Sequence, residues 1–290
     1  MEIEPIAHIR TDFPDKFGVP RQSGLVPELM GQIVFEPKYR NADALRGLED
    51  FSHLWLLWDF SLCHRPEALP SENFPGNGAE THSDNRASGS SASGSSAFES
   101  SASGSSVSES SASESSASGS NAETRSGNDA DWQPTVRPPR LGGNRQMGVF
   151  ATRSPFRPNH IGLSCVRLER IDLSTSEGPV LTVSGADLMD GTPIYDIKPY
   201  VRFTDSHPQA VSGFVDQVDK PTLEVVFPQE LLQQLPAGKR QAALGVLRQD
   251  PRPAYQHSAE KTYGLSFAGY NIRFRVDGQT AVVINVTPIQ

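Results

Sequence analysis

The sequence predicts a mainly β protein with an α/β portion: an amino-terminal β-barrel followed by a small carboxyl-terminal α/β domain. Short segments rich in β-branched and aromatic residues recur along most of the 290 residues. Turn-prone residues separate these segments at intervals typical of sandwiches and barrels, and only two stretches have a helical pattern. A few short helices do not make a doubly wound sheet.

The predicted strands follow from this alternation. They are residues 3–9, 31–35, 54–60, 162–171, 180–186, 211–218, 223–227, 266–276 and 281–286. Within "FRVDGQTAVV", the Asp277-Gly278 pair predicts a hairpin, because this dipeptide favours the tight turn between antiparallel strands.

Two helices are predicted. Residues 41–48 have an amphipathic pattern that Gly47 ends, and residues 229–235 continue into 239–250 around Pro236 and Gly238. The stretch "TDSHPQ" (204–209) breaks the pattern, so we predict one domain over residues 1–205 and another over 206–290.

Residues 71–131 are predicted to be a disordered insertion in the first domain. Three consecutive decads, "ASGSSAFESS", "ASGSSVSESS" and "ASESSASGSN", start at residue 92 and contain almost no branched aliphatic side chains. Such a segment cannot offset its ordering entropy by burial. Longer loops also cost little, so we expect a chain lacking residues 83–128 to keep its fold and activity.

The charge is concentrated in two places. The insertion has nine acidic and two basic residues and so carries most of the net charge of −8. Residues 132–168 have six arginines and no acid, which indicates a local anion-binding surface or a solvated face. The glycines and prolines among these arginines disfavour a plain helical surface.

Several classes of protein lack support. There is no GxGxxG after a strand, P-loop, HExxH or GxSxG, and the seven histidines have no metal-ligand spacing, so we expect no metal. The two cysteines, Cys63 and Cys165, are far apart, which disfavours a disulfide scaffold. No signal peptide or membrane-spanning run is visible, so we expect a cytoplasmic protein without membrane contacts.

Five stretches carry rigid, polar residues suited to a site built from loops. They are "FGVPRQSGLV" (17–26), "RPPRLGGNRQMGVFATR" (137–153), "SPFRPNHIGLS" (154–164), "GADLMDGTPIYDIKPY" (185–200) and "RQDPRPAYQ" (248–256). Prolines stiffen these stretches, and arginines supply planar donors for carboxylates, phosphates or base edges. Each alone is compatible with a solvated turn, but five together indicate a loop-built site on a barrel.

With "RGLEDFSHLW" (46–55), these stretches occur in an order that resembles the TsaA-like or TrmO family along nearly all of the predicted ordered chain. The family comprises bacterial tRNA methyltransferases acting on N6-threonylcarbamoyladenosine in the anticodon loop. The resemblance implies S-adenosylmethionine as methyl donor, a β-barrel fold unlike the Rossmann methyltransferases, a homodimer, and a carboxyl-terminal domain that helps to hold tRNA.

The resemblance also implies site residues. The cofactor would contact Pro20, Arg21, Gln22, Ser61, Leu62, Arg153, Leu163, Ser184, Gly185, Ala186 and Asp187. Two positions depart from the family pattern: His160 stands where proline is usual, and Ser61 where a histidine is frequent. Serine is shorter and uncharged, so the contact at Ser61 differs from that of the family.

The expected chemistry is methyl transfer by positioning, assisted by a base. A carbamoylated nitrogen is a weak nucleophile that still bears a proton, so a nearby base is expected. Asp187 or Asp190 is the candidate base that accepts this proton, and a turn-capping role is the alternative for both. Arg140, Arg145, Arg157 and Arg252 would bind tRNA phosphates or the threonyl carboxylate. DNA is not an expected partner.

Two other functions remain open at this point. The chain could be a non-catalytic barrel that binds S-adenosylmethionine or a nucleotide, or a methyltransferase for another small acceptor. Mass analysis of the modified adenosine from cells lacking the gene distinguishes the non-catalytic barrel from the enzyme, because unchanged methylation would exclude the enzyme. Comparing methyl transfer to threonylcarbamoylated tRNA with transfer to unmodified tRNA distinguishes the tRNA methyltransferase from a methyltransferase for another small acceptor.

Overall fold

Six antiparallel strands form a closed barrel in the computed structural model, in the order β1-β2-β7-β6-β3-β8. The structure describes residues 3–61, 134–138, 145–218, 222–253, 258 and 260–289. The barrel strands are β1 (Ala7–Arg10), β2 (Met30–Phe35), β3 (His53–Asp59), β6 (Ile161–Thr175), β7 (Gly178–Ser184) and β8 (Thr192–Pro199). Two short strands, β4 (Thr135–Val136) and β5 (Met147–Gly148), pair with each other outside the barrel.

Alternation along the strands fills the barrel interior. On β3, Leu54, Leu56 and Trp58 are buried, and on β7 Leu181 and Val183 are fully buried. Successive side chains of a strand point to opposite faces, so every second residue faces inward. The strand-rich pattern of the sequence therefore predicts the fold class correctly, and the mainly β architecture with a barrel is confirmed.

A second sheet follows the barrel in the chain. Its strands are β9 (Glu224–Val226), β10 (Tyr263–Phe267), β11 (Tyr270–Asp277) and β12 (Thr280–Pro288), in the order β10-β11-β12-β9, with β9 parallel to β12. The α-helices are α1 (Arg202–Asp205), α2 (Gln229–Leu232) and α3 (Arg240–Arg248). Together β9–β12, α2 and α3 are called the carboxyl-terminal module below.

Six 3-10 turns complete the described elements. They are Pro37–Tyr39, Ala42–Leu45, Leu48–Asp50, Val149–Ala151, Gly213–Gln217 and Ala237–Lys239. The predicted helix over 41–48 is two of these turns, separated by Gly47 in a left-handed conformation (φ 83°).

Buried apolar residues form two clusters, one inside the barrel and one in the carboxyl-terminal module. Phe13, Val26 and Leu29 precede β2 in sequence, yet they belong to the second cluster. The barrel and the module lie in one compact unit, and the predicted division at residue 205 stays a prediction. The predicted insertion at 71–131 lies outside the described residues.

Two strand predictions were wrong in detail, and one strand was not predicted. Residues 211–218 contain the 3-10 turn Gly213–Gln217 instead of a strand, because Gly213 and Asp216 favour a turn. The strand predicted over 266–276 is two strands, β10 and β11, joined by Ala268 and Gly269 with positive φ. In contrast, "TPIYDIKP", taken as loop, is strand β8, in which Thr192 and Ile194 are buried.

The predicted hairpin at Asp277-Gly278 is confirmed, since β11 and β12 pair as neighbours with Asp277 opposite Thr280. Gly278 has φ 55°, the left-handed conformation that glycine adopts without steric cost. No helix in the described part of the chain has the length and apolar character to cross a membrane.

Candidate active site

A cavity of about 960 Å³ opens at one end of the barrel. One side consists of strand ends: the end of β3 with Ser61, the start of β6, residues 187–189 after β7, and Thr192 of β8. The other side consists of two loops, one between β1 and β2 and one between β5 and β6. We call these the strand side and the loop side.

Trp58 forms the apolar part of the strand side. It pairs with Gly162 across the β3–β6 ladder, and a Cβ atom at Gly162 would overlap the Trp58 indole. Only glycine therefore lets this ring lie against the backbone of β6. The Trp58 and Phe60 ring centroids are 4.2 Å apart at an interplanar angle of 57°, which gives the cavity an aromatic wall.

Asp187 ends a chain of hydrogen bonds that begins at this tryptophan. Trp58 Nε1 donates to Ser164 Oγ (2.9 Å), and Ser164 Oγ donates to Asp187 Oδ1 (2.6 Å). Burial raises the pKa of the Asp187 carboxyl above its ordinary value of 3.8, while the Ser164 hydrogen bond and the charge of Arg153 partly oppose this. The site thus holds an oriented carboxylate with enhanced affinity for a proton.

A second carboxylate, Asp59, was not among the sequence candidates. It lines the cavity at the end of β3 and is only 7% exposed. Its hydrogen-bond partner is the Tyr195 hydroxyl, and the pKa of Tyr195 is raised by burial first and by the Asp59 charge second. The signal in the sequence was an acidic residue ending the otherwise apolar run "LWLLW".

The loop between β1 and β2 brings Pro20, Arg21 and Gln22, three of the predicted cofactor contacts, to the cavity. Arg153, from the loop between β5 and β6, also lines it, and its Nη1 donates a hydrogen bond to Gln22 Oε1. This contact joins the two loops across the cavity mouth.

The loop between β5 and β6 is organised by its own polar groups. Arg157 Nη1 donates to the carbonyls of Thr152 (3.1 Å) and Ser154 (3.2 Å), and the Ser154 N–H donates to Thr152 Oγ1 (3.2 Å). Phe156 lines the cavity and is 50% exposed, and Phe150 is 72% exposed. The loop therefore presents aromatic rings and guanidinium groups to solvent at the mouth of the cavity.

Of the other predicted cofactor contacts, some line the cavity and others do not. Ser61 and Leu163 line the cavity, whereas Leu62 lies outside the described residues. Ser184, Gly185 and Ala186 are not cavity residues. Ser184 Oγ donates to Glu169 (2.6 Å), Gly185 makes backbone hydrogen bonds to Leu29 and Gly24, and Ala186 is buried in the barrel core.

The second catalytic candidate, Asp190, does not line the cavity. Its Oδ1 accepts a hydrogen bond from the Thr11 N–H (2.9 Å), and the next residue, Gly191, has φ 75°. Asp190 is thus bonded to the segment after β1 and, unlike Asp187, does not line the cavity, while its catalytic role stays a prediction.

The predicted tRNA-binding arginines are not gathered in one place. Arg157 lines the cavity, Arg145 is exposed before β5, and Arg140 lies outside the described residues. Arg252 is 8% exposed and forms a bidentate pair with Asp250 (2.8 and 2.9 Å), which raises its pKa, and its role toward tRNA stays a prediction. Its charge is compensated within its own turn.

A closed β-barrel with an aromatic and acidic cavity bordered by basic loops belongs to the class of non-Rossmann barrels with a site for a small molecule. The model of the tRNA-methyltransferase O N-terminal domain matches residues 8–83 and 121–206, and that of the TrmO C-terminal domain matches 220–289. The chain belongs to the TrmO family.

Individual relatives agree with this assignment. A tRNA (adenine(37)-N6)-methyltransferase of Escherichia coli (strain K12) is 36% identical over 283 residues, covering 95% of this chain and 93% of the relative. A provisionally named S-adenosylmethionine-dependent methyltransferase, RcsF, of Pseudomonas aeruginosa is 33% identical over 88% of this chain and 83% of its own length. The crystal structure of TrmO from P. aeruginosa superposes with a TM-score of 0.62 at 26% identity and covers 99% of this chain and 97% of that chain.

Proposed function

We propose that this protein is an S-adenosylmethionine-dependent methyltransferase that methylates N6 of adenosine 37 in tRNA, with N6-threonylcarbamoyladenosine as the acceptor. The observation that carries the proposal is the cavity in which Asp187, tied to Trp58 through Ser164, faces residues Pro20–Gln22 in a chain of the TrmO family. The E. coli relative, which matches almost end to end, is named as a methyltransferase of N6 of adenine 37 in tRNA.

The cavity suits the proposed cofactor in size and chemistry. Its volume of about 960 Å³ is at the upper end for small-molecule sites. Aromatic faces such as Trp58 and Phe60 attract cationic groups and stack on purines. Asp59 and Asp187 offer carboxylates to an ammonium or to ribose hydroxyls, and Arg153 offers a guanidinium to a carboxylate.

Bound S-adenosylmethionine would supply an electrophilic methyl group on a positively charged sulfur. The protein residues then have two tasks. The cavity walls would position the acceptor nitrogen beside the cofactor and exclude water. The Asp187 carboxylate would accept the N6 proton as the methyl group passes from sulfur to nitrogen, so that the bond to sulfur breaks, sulfur keeps the electron pair, and nitrogen and sulfur both end uncharged.

The raised pKa of Asp187 is suited to this second task. A carboxylate in water is a weak base, and burial increases its proton affinity while the Ser164 hydrogen bond fixes its orientation. Asp190 has no corresponding route, because it is engaged by the Thr11 N–H outside the cavity.

The loop side is proposed to receive the anticodon loop. Unpaired bases stack on exposed aromatic rings, and guanidinium groups bind phosphates. Phe156 and Arg157 at the mouth of the cavity, and exposed Arg145 nearby in sequence, provide these groups. A homodimer, which the family resemblance implies, is part of the proposal and is tested by light scattering of the purified protein.

The proposal is tested with methyl-labelled S-adenosylmethionine and three acceptors: two tRNA preparations and the free modified nucleoside. We expect transfer to tRNA carrying threonylcarbamoyladenosine and to neither unmodified tRNA nor the free modified nucleoside. Equal transfer to unmodified tRNA would refute the threonylcarbamoyl acceptor, and transfer to none of them, with the cofactor still bound, would favour the non-catalytic alternative.

A further inference from the structure

The loop that carries Pro20, Arg21 and Gln22 is folded on the carboxyl-terminal module. It spans residues 11–29 between β1 and β2 and is called the connector segment. Phe13, at 1% exposure, is buried in the cluster of the module, and its ring centroid lies 5.2 Å from that of Phe267 on β10. The start of the segment thus packs against residues of the carboxyl-terminal module that are distant in sequence.

Polar contacts fix the same end of the segment. The Ala268 N–H donates to the Asp12 carbonyl (2.9 Å), and Lys239 Nζ lies 2.6 Å from Asp12 Oδ2. The side chains of Lys239 and Asp12 are only 33% and 14% exposed, so solvent screens this ion pair less than a surface pair. Both partners of Asp12 belong to or adjoin the module.

Further along, the connector segment and the module approach each other closely at two glycines. Gly18 has φ 92°, and a Cβ atom at this position would overlap Leu265 Cδ1 of β10. On the other side, a Cβ atom at Gly245 of α3 would lie 2.6 Å from Val26 Cγ1. Both glycines allow the connector segment to approach the module more closely than any other residue would.

The barrel holds the connector segment at different points. Thr11 Oγ1 donates to the Leu188 carbonyl (3.0 Å), the Gly24 N–H donates to the Gly185 carbonyl (2.9 Å), and Ser23 Oγ accepts from the Cys165 N–H (3.1 Å). Between these points, Phe17 and Val19 pack on the cluster of the module directly before the cavity residues. The path into Pro20 is therefore set by the module.

We propose that the carboxyl-terminal module is a structural part of the cofactor site, with Leu265 and Lys239 as positioning residues that act through the connector segment on Pro20–Gln22. This goes beyond a role in holding tRNA, and it rests on the proposed function, namely that the cavity binds S-adenosylmethionine. The consequence is that changes in the module alter cofactor affinity when no tRNA is present.

The test is calorimetric titration of S-adenosylmethionine, without tRNA, into the wild type and four variants. Gly18→Ala introduces the overlap with Leu265, and we expect cofactor binding about tenfold weaker, as for other losses of positioning. Gly47→Ala is the matched control, because Gly47 also has positive φ (83°) but nothing within 4 Å of its Cβ position. It should bind the cofactor as the wild type does.

Lys239→Met and Lys239→Arg provide a milder pair. The methionine variant removes the ion pair to Asp12 and should weaken cofactor binding and raise the KM for the cofactor with little change in kcat, whereas the arginine variant should restore both. This pair decides the question if Gly18→Ala does not fold.

The outcomes separate the two proposals. No cofactor binding by the wild type would refute the proposed function itself. Normal cofactor binding by Gly18→Ala and Lys239→Met, with only tRNA affinity reduced in filter binding, would overturn the positioning role and leave the proposed function standing.

Discussion

The strand side of the cavity and its loop side differ in what holds their residues in place. Trp58 and Leu163 are on β3 and β6, whose ladder pairs Trp58 with Gly162 and Leu57 with Leu163. Phe156 and Arg157 are on a loop whose hydrogen bonds are local, and Pro20–Gln22 are on a segment packed against the carboxyl-terminal module.

This difference indicates a division of labour. Residues on a closed barrel have no free edge and cannot shift independently, which suits a site that fixes a methyl donor. Phe156 and Arg157, whose loop is held by local hydrogen bonds, can adjust to a large substrate while the scaffold stays rigid. We therefore expect changes on the strand side to affect cofactor binding and chemistry, and changes at Phe156 to affect the tRNA.

The largest effect is expected for Asp187→Asn. Asparagine keeps the shape but cannot accept a proton, so kcat should fall about 10²-fold or more, the usual contribution of a general base. In the wild type, kcat should rise with pH through the raised pKa of Asp187, and the variant should lose this dependence. A comparable fall in kcat for Asp190→Asn, with none for Asp187→Asn, would show that Asp190 and not Asp187 is the base.

Asp187 should also affect stability in a pH-dependent manner. Because its pKa is raised in the folded state, the folded protein keeps the proton at pH values where the unfolded chain has lost it. The free energy of unfolding therefore falls as pH rises from near 3.8 through the raised pKa. Chemical denaturation across this range should show the fall in the wild type and a smaller one in Asp187→Asn.

Asp59→Asn should have the next largest effect. Loss of a charged hydrogen-bond partner is expected to weaken S-adenosylmethionine binding about tenfold in calorimetry. The same change should lower the pKa of Tyr195, because the Asp59 charge contributes to raising it. Unchanged cofactor affinity together with a lowered Tyr195 pKa would limit Asp59 to a structural role.

On the loop side, Phe156→Ala should lower kcat/KM for tRNA about tenfold, the effect of losing one stacked base. Phe203→Ala is the control, since Phe203 is 88% exposed on α1 and does not line the cavity. Steady-state kinetics with tRNA as the varied substrate measures both. Equal effects of the two variants would contradict the assignment of the cavity mouth.

The smallest effect is expected from removing residues 83–128. Shortening a loop changes its closure entropy by only about 0.6 kcal/mol per halving, and the sequence of this segment has almost no side chains suited to a core. Melting temperature and methyl transfer should stay close to those of the full chain. Loss of protein from the supernatant after the deletion would show that the repeat has a structural role.

The sequence predicted the strand side better than the contacts between distant segments. Alternation along 54–60 and 162–171 is local and identifies β3 and β6, and the family blocks place Arg153, Leu163 and Asp187 near one another. The strand β8 was missed because Pro193, Asp196 and Lys198 disfavour strands. Asp196 and Lys198 pair with each other (2.9 Å) on the outer surface, where the barrel tolerates them.

Residues whose environment depends on long-range packing could not be assigned in this way. Phe13 and Gly18 resemble ordinary loop residues until β10 is placed beside them. Likewise, the stretch around Arg252 has the composition of a phosphate-binding loop. In the structure Arg252 is buried and pairs with Asp250, which has a positive φ of 49°. Asp59 was missed for a related reason, because period 2 indicates which face a residue occupies but not whether that face borders a cavity.

The most direct test of the cavity as the cofactor site compares two leucines on β6. Leu163 lines the cavity and is 48% exposed, whereas Leu173, on the same strand, is 51% exposed and does not line it. Calorimetric titration of S-adenosylmethionine should show binding lost, or weakened more than about tenfold, in Leu163→Arg, and wild-type affinity in Leu173→Arg. Equal affinity of both variants for S-adenosylmethionine would contradict the account.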